Sequence, residues 1–198
     1  MIGYSDRINH AFAFAAKHHD RQVRKGARAP YLTHPANIAL ILTRYGCAED
    51  TVVAGILHDV VEDCVRDGWT REELDERIGA KFGAAVLETA LAVTKRRVDD
   101  DGVELSRDDI RADYLERLAG ASDTARWLCA ADKVHNAGSI LADLRRTIDA
   151  ENVWGRVNGG RDATLLRYRG VYDRLVAVGF SAPIMIELSA LVDDLERV

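Results

Sequence analysis

Four polar residues set into an apolar run carry the most pointed chemistry of this chain: His58, Asp59, Glu62 and Asp63, within Ala54–Asp63. The apolar residues Val52, Val53, Ile56, Leu57, Val60 and Val61 recur at helical spacing, which predicts one helix from about Asp50 to Cys64 with a face in the core. On such a helix His58 and Glu62 are four apart, as are Asp59 and Asp63, and Asp59 and Glu62 are three apart. One turn therefore carries an adjacent His-Asp pair, and the next stacks two carboxylates over it. Three acids so close repel, and their apolar flanks imply burial, which is costly for charge without a partner. A divalent cation on His58 and Asp59 supplies that partner; a solvated acidic face beside the core is the alternative.

Other residues gain interest beside this pair. His34, in Thr33-His34-Pro35, falls in the first turn of a second helix, where a lone histidine is ordinarily a cap or core residue unless it joins His58 and Asp59 as a third ligand. Asp132 and Asn136 are four apart and share a face of a later helix. Small apolar neighbours imply that Asp132 is buried, so it needs a counter-charge. Lys133 or a nearby arginine can provide one; a fourth metal contact is the functional reading. The stretch Arg21–Pro30 holds Arg21, Arg24, Lys25 and Arg28 in a Gly/Pro loop, either a solvated loop or a receiver of phosphate groups. His18 and His19 end the first helix and fit capping or surface roles better than metal binding.

The elements that must position these residues read as helices. Ser5 or Asp6 caps a first helix to about His19, and Thr33 is a candidate N-cap for the second, which Gly46 stops. Thr70 and Glu73 form a capping box for a helix expected to end at Gly79. Phe82-Gly83 leads into an apolar helix to about Thr94. The polar stretch Lys95–Gly102 contains Asp-x-Asp-Gly, but Arg97 stands at the first ligand position, so a calcium loop is rejected in favour of a mobile loop near an active-site mouth. Ser106 and Ser122 cap two further helices, Trp154–Tyr172 mixes Arg156, Arg161, Arg167 and Arg169 with aromatics, and Ser181-Ala182-Pro183 starts a last amphipathic helix.

With 198 residues, 47% of them hydrophobic, the chain is expected to form one compact domain, and few aromatics with three prolines favour an all-α fold. A formal charge of −5 argues against a nucleic-acid or membrane surface. Cys47, Cys64 and Cys129 form no CxxC pair and read as reduced thiols. The opening Met1–Asp6 lacks a signal-peptide apolar run, and no stretch approaches the ~18 apolar residues of a membrane span, so a cytoplasmic location is expected.

An ordered set of segments then points to a family. Phe14-Ala15-Ala16, Gln22-x-Arg24-Lys25, Pro30-Tyr31-Leu32-x-His34-Pro35, Leu57-His58-Asp59-x-x-Glu62-Asp63, Phe82-Gly83, Val93-Thr94 and Ala131-Asp132-Lys133-x-His135-Asn136 follow one another along the chain. The set resembles the HD superfamily of metal-dependent phosphohydrolases, and within it the hydrolase domain of Rel/Spo stringent-response enzymes and the stand-alone small alarmone hydrolases. The resemblance covers about residues 10–145, with helices of 150–198 expected to pack on that part.

What the resemblance implies is an HD-type helical bundle with one divalent metal, usually Mn2+, held by His34, His58, Asp59 and Asp132. Glu62 and Asp63 match the catalytic acidic pair, Arg24 and Lys25 the nucleotide-binding basic pair, and Asn136 another substrate-site residue. The implied reaction removes the 3′-diphosphate from guanosine tetra- or pentaphosphate. Another nucleotide (an adenosine 3′-diphosphate, or NADPH at its ribose phosphate) and a non-catalytic nucleotide-binding module are the alternatives. Two departures bear on specificity: Lys95 where many relatives have Asp, and Cys129 where many have Lys. The region after Trp154 either covers the site or forms a subunit interface, so a homo-oligomer stays open.

Overall fold

The computed structural model describes residues 3–24, 28–64 and 70–198. Among the described residues the chain is all-α. Its helices are α1 (Asp6–His18), α2 (Thr33–Arg44), α3 (Glu49–Asp63), α4 (Arg71–Phe82), α5 (Ala84–Val93), α6 (Arg107–Gly120), α7 (Asp123–Arg146), α8 (Ala150–Trp154), α9 (Gly160–Ala177) and α10 (Ile184–Arg197). Isolated bridges, Val23 to Pro30 and Val98 to Glu104, pin the loops after α1 and α5.

The bundle is built around α3. Every residue from Thr51 to Val61 is buried, because α1, α2, α5 and α7 pack on it from different sides. A helix apolar nearly all round has no stable place except inside such a ring. Removing side chains such as Ile56 and Leu57 from water contributes about 1.5–3 kcal/mol each. Gly55 marks the tightest crossing: a Cβ there would stand 2.8 Å from Leu42 Cδ1 and 3.0 Å from Ile38 Cγ2, so α2 approaches α3 this closely only over a glycine. That crossing carries His34, at the start of α2, up to His58. Arg7 of α1 locks the arrangement by pairing with Glu49 and Asp50 at the start of α3 and donating to the Phe82 carbonyl.

The expected caps at Ser5, Ser106 and Ser122 each accept a backbone N–H, and the Thr70–Glu73 capping box is formed. Two boundaries differ from expectation. Thr33 is not the N-cap of α2: it is the first helical residue, and its hydroxyl donates back to the Pro30 carbonyl. Gly79 does not end α4, which runs on to Phe82 and stops at Gly83, where φ is +99°. Gly79 instead lies against Leu87 of α5, so it serves packing, while Gly83 supplies the left-handed geometry that lets α5 fold back on α4. The three cysteines are free and buried.

The C-terminal helices pack on the rest: α10 runs along α7 and α9, and α9 lies against α6 and α7. No helix of the described residues is long and apolar enough to cross a membrane.

Candidate active site

The middle of α3 holds His58 and Asp59 inside the bundle, 5% and 7% exposed. His58 Nδ1 donates to the Gly55 carbonyl at 2.9 Å, one turn back, which fixes the ring and leaves Nε2 for other partners. That nitrogen lies 3.0 Å from Asp59 Oδ1 and 3.9 Å from Asp132 Oδ1. His34 enters from α2 with Nε2 3.2 Å from Asp59 Oδ2 and 3.2 Å from Asp132 Oδ1. One donor atom each from His34, His58 and Asp59 falls within a 4.8 Å span. The structure thus brings together four residues that lie on three helices, α2, α3 and α7.

Neighbouring side chains orient the cluster. Tyr31 donates its hydroxyl to Asp59 Oδ2 at 2.8 Å. Asn136 Nδ2 donates to Asp132 Oδ1 at 2.6 Å, and Lys133 pairs with the other Asp132 oxygen. Lys133 is thus the counter-charge of Asp132, and the remaining Asp132 oxygen faces the imidazoles. His34 Nδ1 lies 2.7 Å from Nδ1 of His135. For His34 to offer a lone pair at Nε2, its proton must sit on Nδ1 and be donated to His135, whose own proton is then on Nε2. Burial, with the nearby His34 and Arg24 charges, pushes His135 down to about 4, which suits that acceptor role.

Burial opposes ionisation of Asp59, yet His58 and His34 hold its carboxyl well below the usual range. Burial likewise opposes charge on Asp132, which Lys133 and His34 outweigh. On His58 burial acts against the proton, but Asp59 and Asp132 raise it to about 9. With no cation other than protons, the two carboxylates hold a proton on His58. Two imidazole nitrogens and two carboxylates of this kind fit a divalent ion, whose charge they neutralise while presenting mixed N/O donors.

Glu62 and Asp63 end α3 one turn beyond the cluster. Glu62 Oε1 accepts from Lys95 Nζ at 2.9 Å, so Lys95, one of the two departures, stands in the site. Partial desolvation, added to the Asp59 and Glu62 charges, raises Asp63. Cys129, the other departure, does not line the cleft; it is a buried residue of α7, 3.2 Å from the Tyr114 hydroxyl of α6. Arg24 donates to Asn136 Oδ1 at 2.8 Å, which joins the loop after α1 to α7. Its expected companion Lys25 lies outside the described residues. His18 and His19 stay out of the cluster. His19 caps α1 but is buried, not at the surface: it stacks on Tyr31 and bonds Gln22.

These groups floor a cleft of about 700 Å³. Seven cationic and five carboxylate side chains line it, although the chain as a whole is acidic, so the cleft is selected for anions. Lys95 and Arg97 bring the polar stretch after α5 to its rim. Val153, Arg156, Thr164, Arg167 and Tyr168 bring the C-terminal region, which therefore covers the site. Tyr31 and His135 went unassigned from sequence, although each lies three residues from a cluster residue; nothing in local spacing could single out Arg167 or Tyr168.

The result is an all-α bundle holding a buried His/Asp donor set under a cleft lined by more cations than carboxylates. The chain belongs to the HD domain family, whose sequence profile matches residues 11–154. Membership implies a divalent metal, and the buried cluster offers its donors. Similar proteins include a Myxococcus xanthus protein named GTP pyrophosphokinase, 35% identical over 138 residues, or 68% of this chain and 17% of that protein. An Aquifex aeolicus protein named guanosine-3′,5′-bis(diphosphate) 3′-pyrophosphohydrolase is 38% identical over 92 residues, or 46% of this chain and 12% of its own. The chain spans less than a fifth of the length of these relatives, at 17% and 12%. Among solved structures, a metazoan orthologue of SpoT described as hydrolysing ppGpp superposes with a TM-score of 0.74 at 25% identity, covering 98% of both chains. A Listeria monocytogenes structure superposes at 0.67 with 27% identity, over 83% of this chain and 99% of that one.

Proposed function

We propose that this chain is an alarmone hydrolase that removes the 3′-diphosphate of guanosine 3′,5′-bis(diphosphate) and its 5′-triphosphate analogue. The observation that carries the reading is the meeting of His34, His58, Asp59 and Asp132 directly below the Glu62–Asp63 pair. The names of the Aquifex relative and the metazoan structure support the substrate class. His34, His58, Asp59 and Asp132 would hold the metal, Mn2+ being the ion the family resemblance implies and iron, cobalt or zinc the alternatives that the same mixed donors accept. Once bound, that ion supplies Lewis-acid polarisation of the phosphoryl group and lowers the pKa of water.

The chain's own residues do the rest. Lys95 occupies Glu62 Oε1, which leaves Oε2 to take a proton from the attacking water as it adds to phosphorus. The bond from phosphorus to the ribose 3′-oxygen breaks, and Asp63, whose pKa burial and the Asp59 and Glu62 charges raise, is assigned the proton that goes to the leaving oxygen. Pyrophosphate and GDP or GTP result. Arg24, Lys25 and Asn136 are assigned to the nucleotide, Arg24 and Asn136 being already joined by a hydrogen bond. The enzyme acts as one domain over 1–198 in the cytoplasm, on a free nucleotide and without a nucleic-acid or membrane partner. The Lys95–Glu62 pair favours, as second reading, another ribose-phosphorylated nucleotide, an adenosine 3′-diphosphate or NADPH.

The test is product identification after incubation with guanosine 3′,5′-bis(diphosphate) and Mn2+, beside adenosine 3′-diphosphates and NADPH. GDP and pyrophosphate in equal amounts are expected. Orthophosphate release, or faster turnover of NADPH, would replace this reading with the second.

A further inference from the structure

The cleft's positive charges are not equally engaged. Outside it, Arg96, Arg117 and Arg169 each pair with carboxylates. On the cleft floor, Lys95 and Lys133 are neutralised by Glu62 and Asp132. Arg156 and Arg167, on the wall contributed by the C-terminal region, make no ion pair with a described carboxylate. Arg167 is nonetheless held in place: its Nη2 donates to the Asn158 carbonyl at 2.9 Å and to Thr164 Oγ1 at 3.4 Å. Arg156 donates to the Asn152 side chain. Neutral acceptors fix both guanidinium groups and leave their charge unspent.

Tyr168 supplies an independent observation. It is only 6% exposed and lines the cleft, yet its hydroxyl has no hydrogen-bond partner among the described residues. The ring is buried while the hydroxyl keeps access to the cleft, so it is free to donate to an anion that enters. Its electrostatic neighbours are Lys133, Asp132, Arg167 and Arg24, so it stands between the metal-donor floor and the arginine wall.

Resting on the function proposed above, we infer that Arg156, Arg167 and Tyr168 form a second anion subsite, which receives the 5′-phosphate chain of the nucleotide whose 3′ end reacts at the floor. A nucleotide phosphorylated at both ends has one reacting end; the lysines nearest it, Lys95 and Lys133, are already matched by carboxylates, and Arg24 is tied to Asn136. The unspent charge on the wall, with a free phenolic donor beside it, matches the other end. The subsite makes the enzyme count 5′ phosphates.

The experiment compares two substrates: guanosine 3′,5′-bis(diphosphate), and guanosine 3′-diphosphate with a free 5′-hydroxyl. Wild type is expected to show the lower KM for the first. Arg156→Gln/Arg167→Gln raises that KM about 10–100-fold, the loss of charge-assisted hydrogen bonds, while kcat and the constants for the second substrate hold. Tyr168→Phe gives a smaller rise, about 2–10-fold. The exposed Arg156→Gln alone repeats the effect in a protein whose folding is not at issue. Equal KM values for the two substrates in wild type, or a variant that loses both alike, overturns the subsite. If wild type cleaves neither substrate, the function proposal fails separately, and calorimetry with GDP against guanosine decides the subsite: tighter GDP binding lost in the double variant supports it, and GDP affinity equal to guanosine, or unchanged in the variant, overturns it.

Discussion

The floor and the C-terminal wall of the cleft are built on opposite plans. On the floor, each polar group has an assigned partner: Gly55 holds His58, His135 holds His34, Tyr31 holds Asp59, and Lys133 with Asn136 holds Asp132. On the wall, Arg156 and Arg167 are steered by neutral groups, and the Tyr168 hydroxyl is left over. A site that positions a small ion and a reacting phosphorus needs donors fixed before the substrate arrives. A site that recognises a flexible anion needs charge that the protein has not already neutralised. The difference separates residues that set the chemistry from residues that set the substrate.

Breaking the floor has the largest expected effect. His58→Ala removes one donor and leaves two carboxylates facing one imidazole; metal content by elemental analysis and turnover should both be lost. Retention of both would remove His58 from the ligand set. His135→Ala acts one step out, freeing the His34 ring. The expected loss is about 10–100-fold in metal affinity by titration calorimetry. No change in affinity would mean that His34 is fixed by its packing alone.

The proton on His58 sharpens the same comparison. Burial works against that proton, but Asp59 and Asp132 raise the group to about 9, so at pH 7 the ion-free floor carries it and a metal must displace it. Apparent metal affinity should rise with pH up to about 9 and then level. Calorimetry in buffers of different ionisation heat reads the released proton directly. The linked stability runs the other way. A raised histidine pKa stabilises the ion-free fold fully below about 6.5, and the contribution disappears as pH climbs through about 9.

The smallest effect belongs outside the cleft. Arg169 bridges Asp193 and Glu196 between α9 and α10 at the surface. Arg169→Ala should change stability by about 1 kcal/mol or less in a denaturant melt and leave KM unaltered. A KM change there would mean that the wall is positioned through the α9–α10 contact.

How much of this was legible in the sequence follows the same division. The His-Asp and Glu-Asp pairs stood out because α3 is apolar all round, so any polar residue in it needs a reason. The capping box at Thr70 was legible because it is local, four residues closing on themselves. Gly79 misled because a glycine reads alike whether it ends a helix or makes room for Leu87, and only the packing of α5 on α4 separates the two. Thr33 misled because its hydroxyl had a nearer acceptor in Pro30. The HD resemblance, not local spacing, joined His34 and Asp132 to α3. Tyr31 and His135 act through residues far away in sequence, and the wall residues matter only because α9 folds back beside α7. Lys95 was noticed as a departure, but its contact with Glu62 across 33 positions needed the fold.

The most direct test separates metal holding from proton transfer in one protein. Glu62→Gln/Asp63→Asn removes the acidic pair and leaves His34, His58, Asp59 and Asp132 in place. Metal content and turnover of guanosine 3′,5′-bis(diphosphate) are then measured side by side with wild type, in Mn2+ and after chelation. The account predicts a full complement of metal in the variant with kcat reduced about 10²–10⁴-fold, and wild-type turnover abolished by chelation. Wild-type rates in the variant, or turnover that survives chelation, would contradict it.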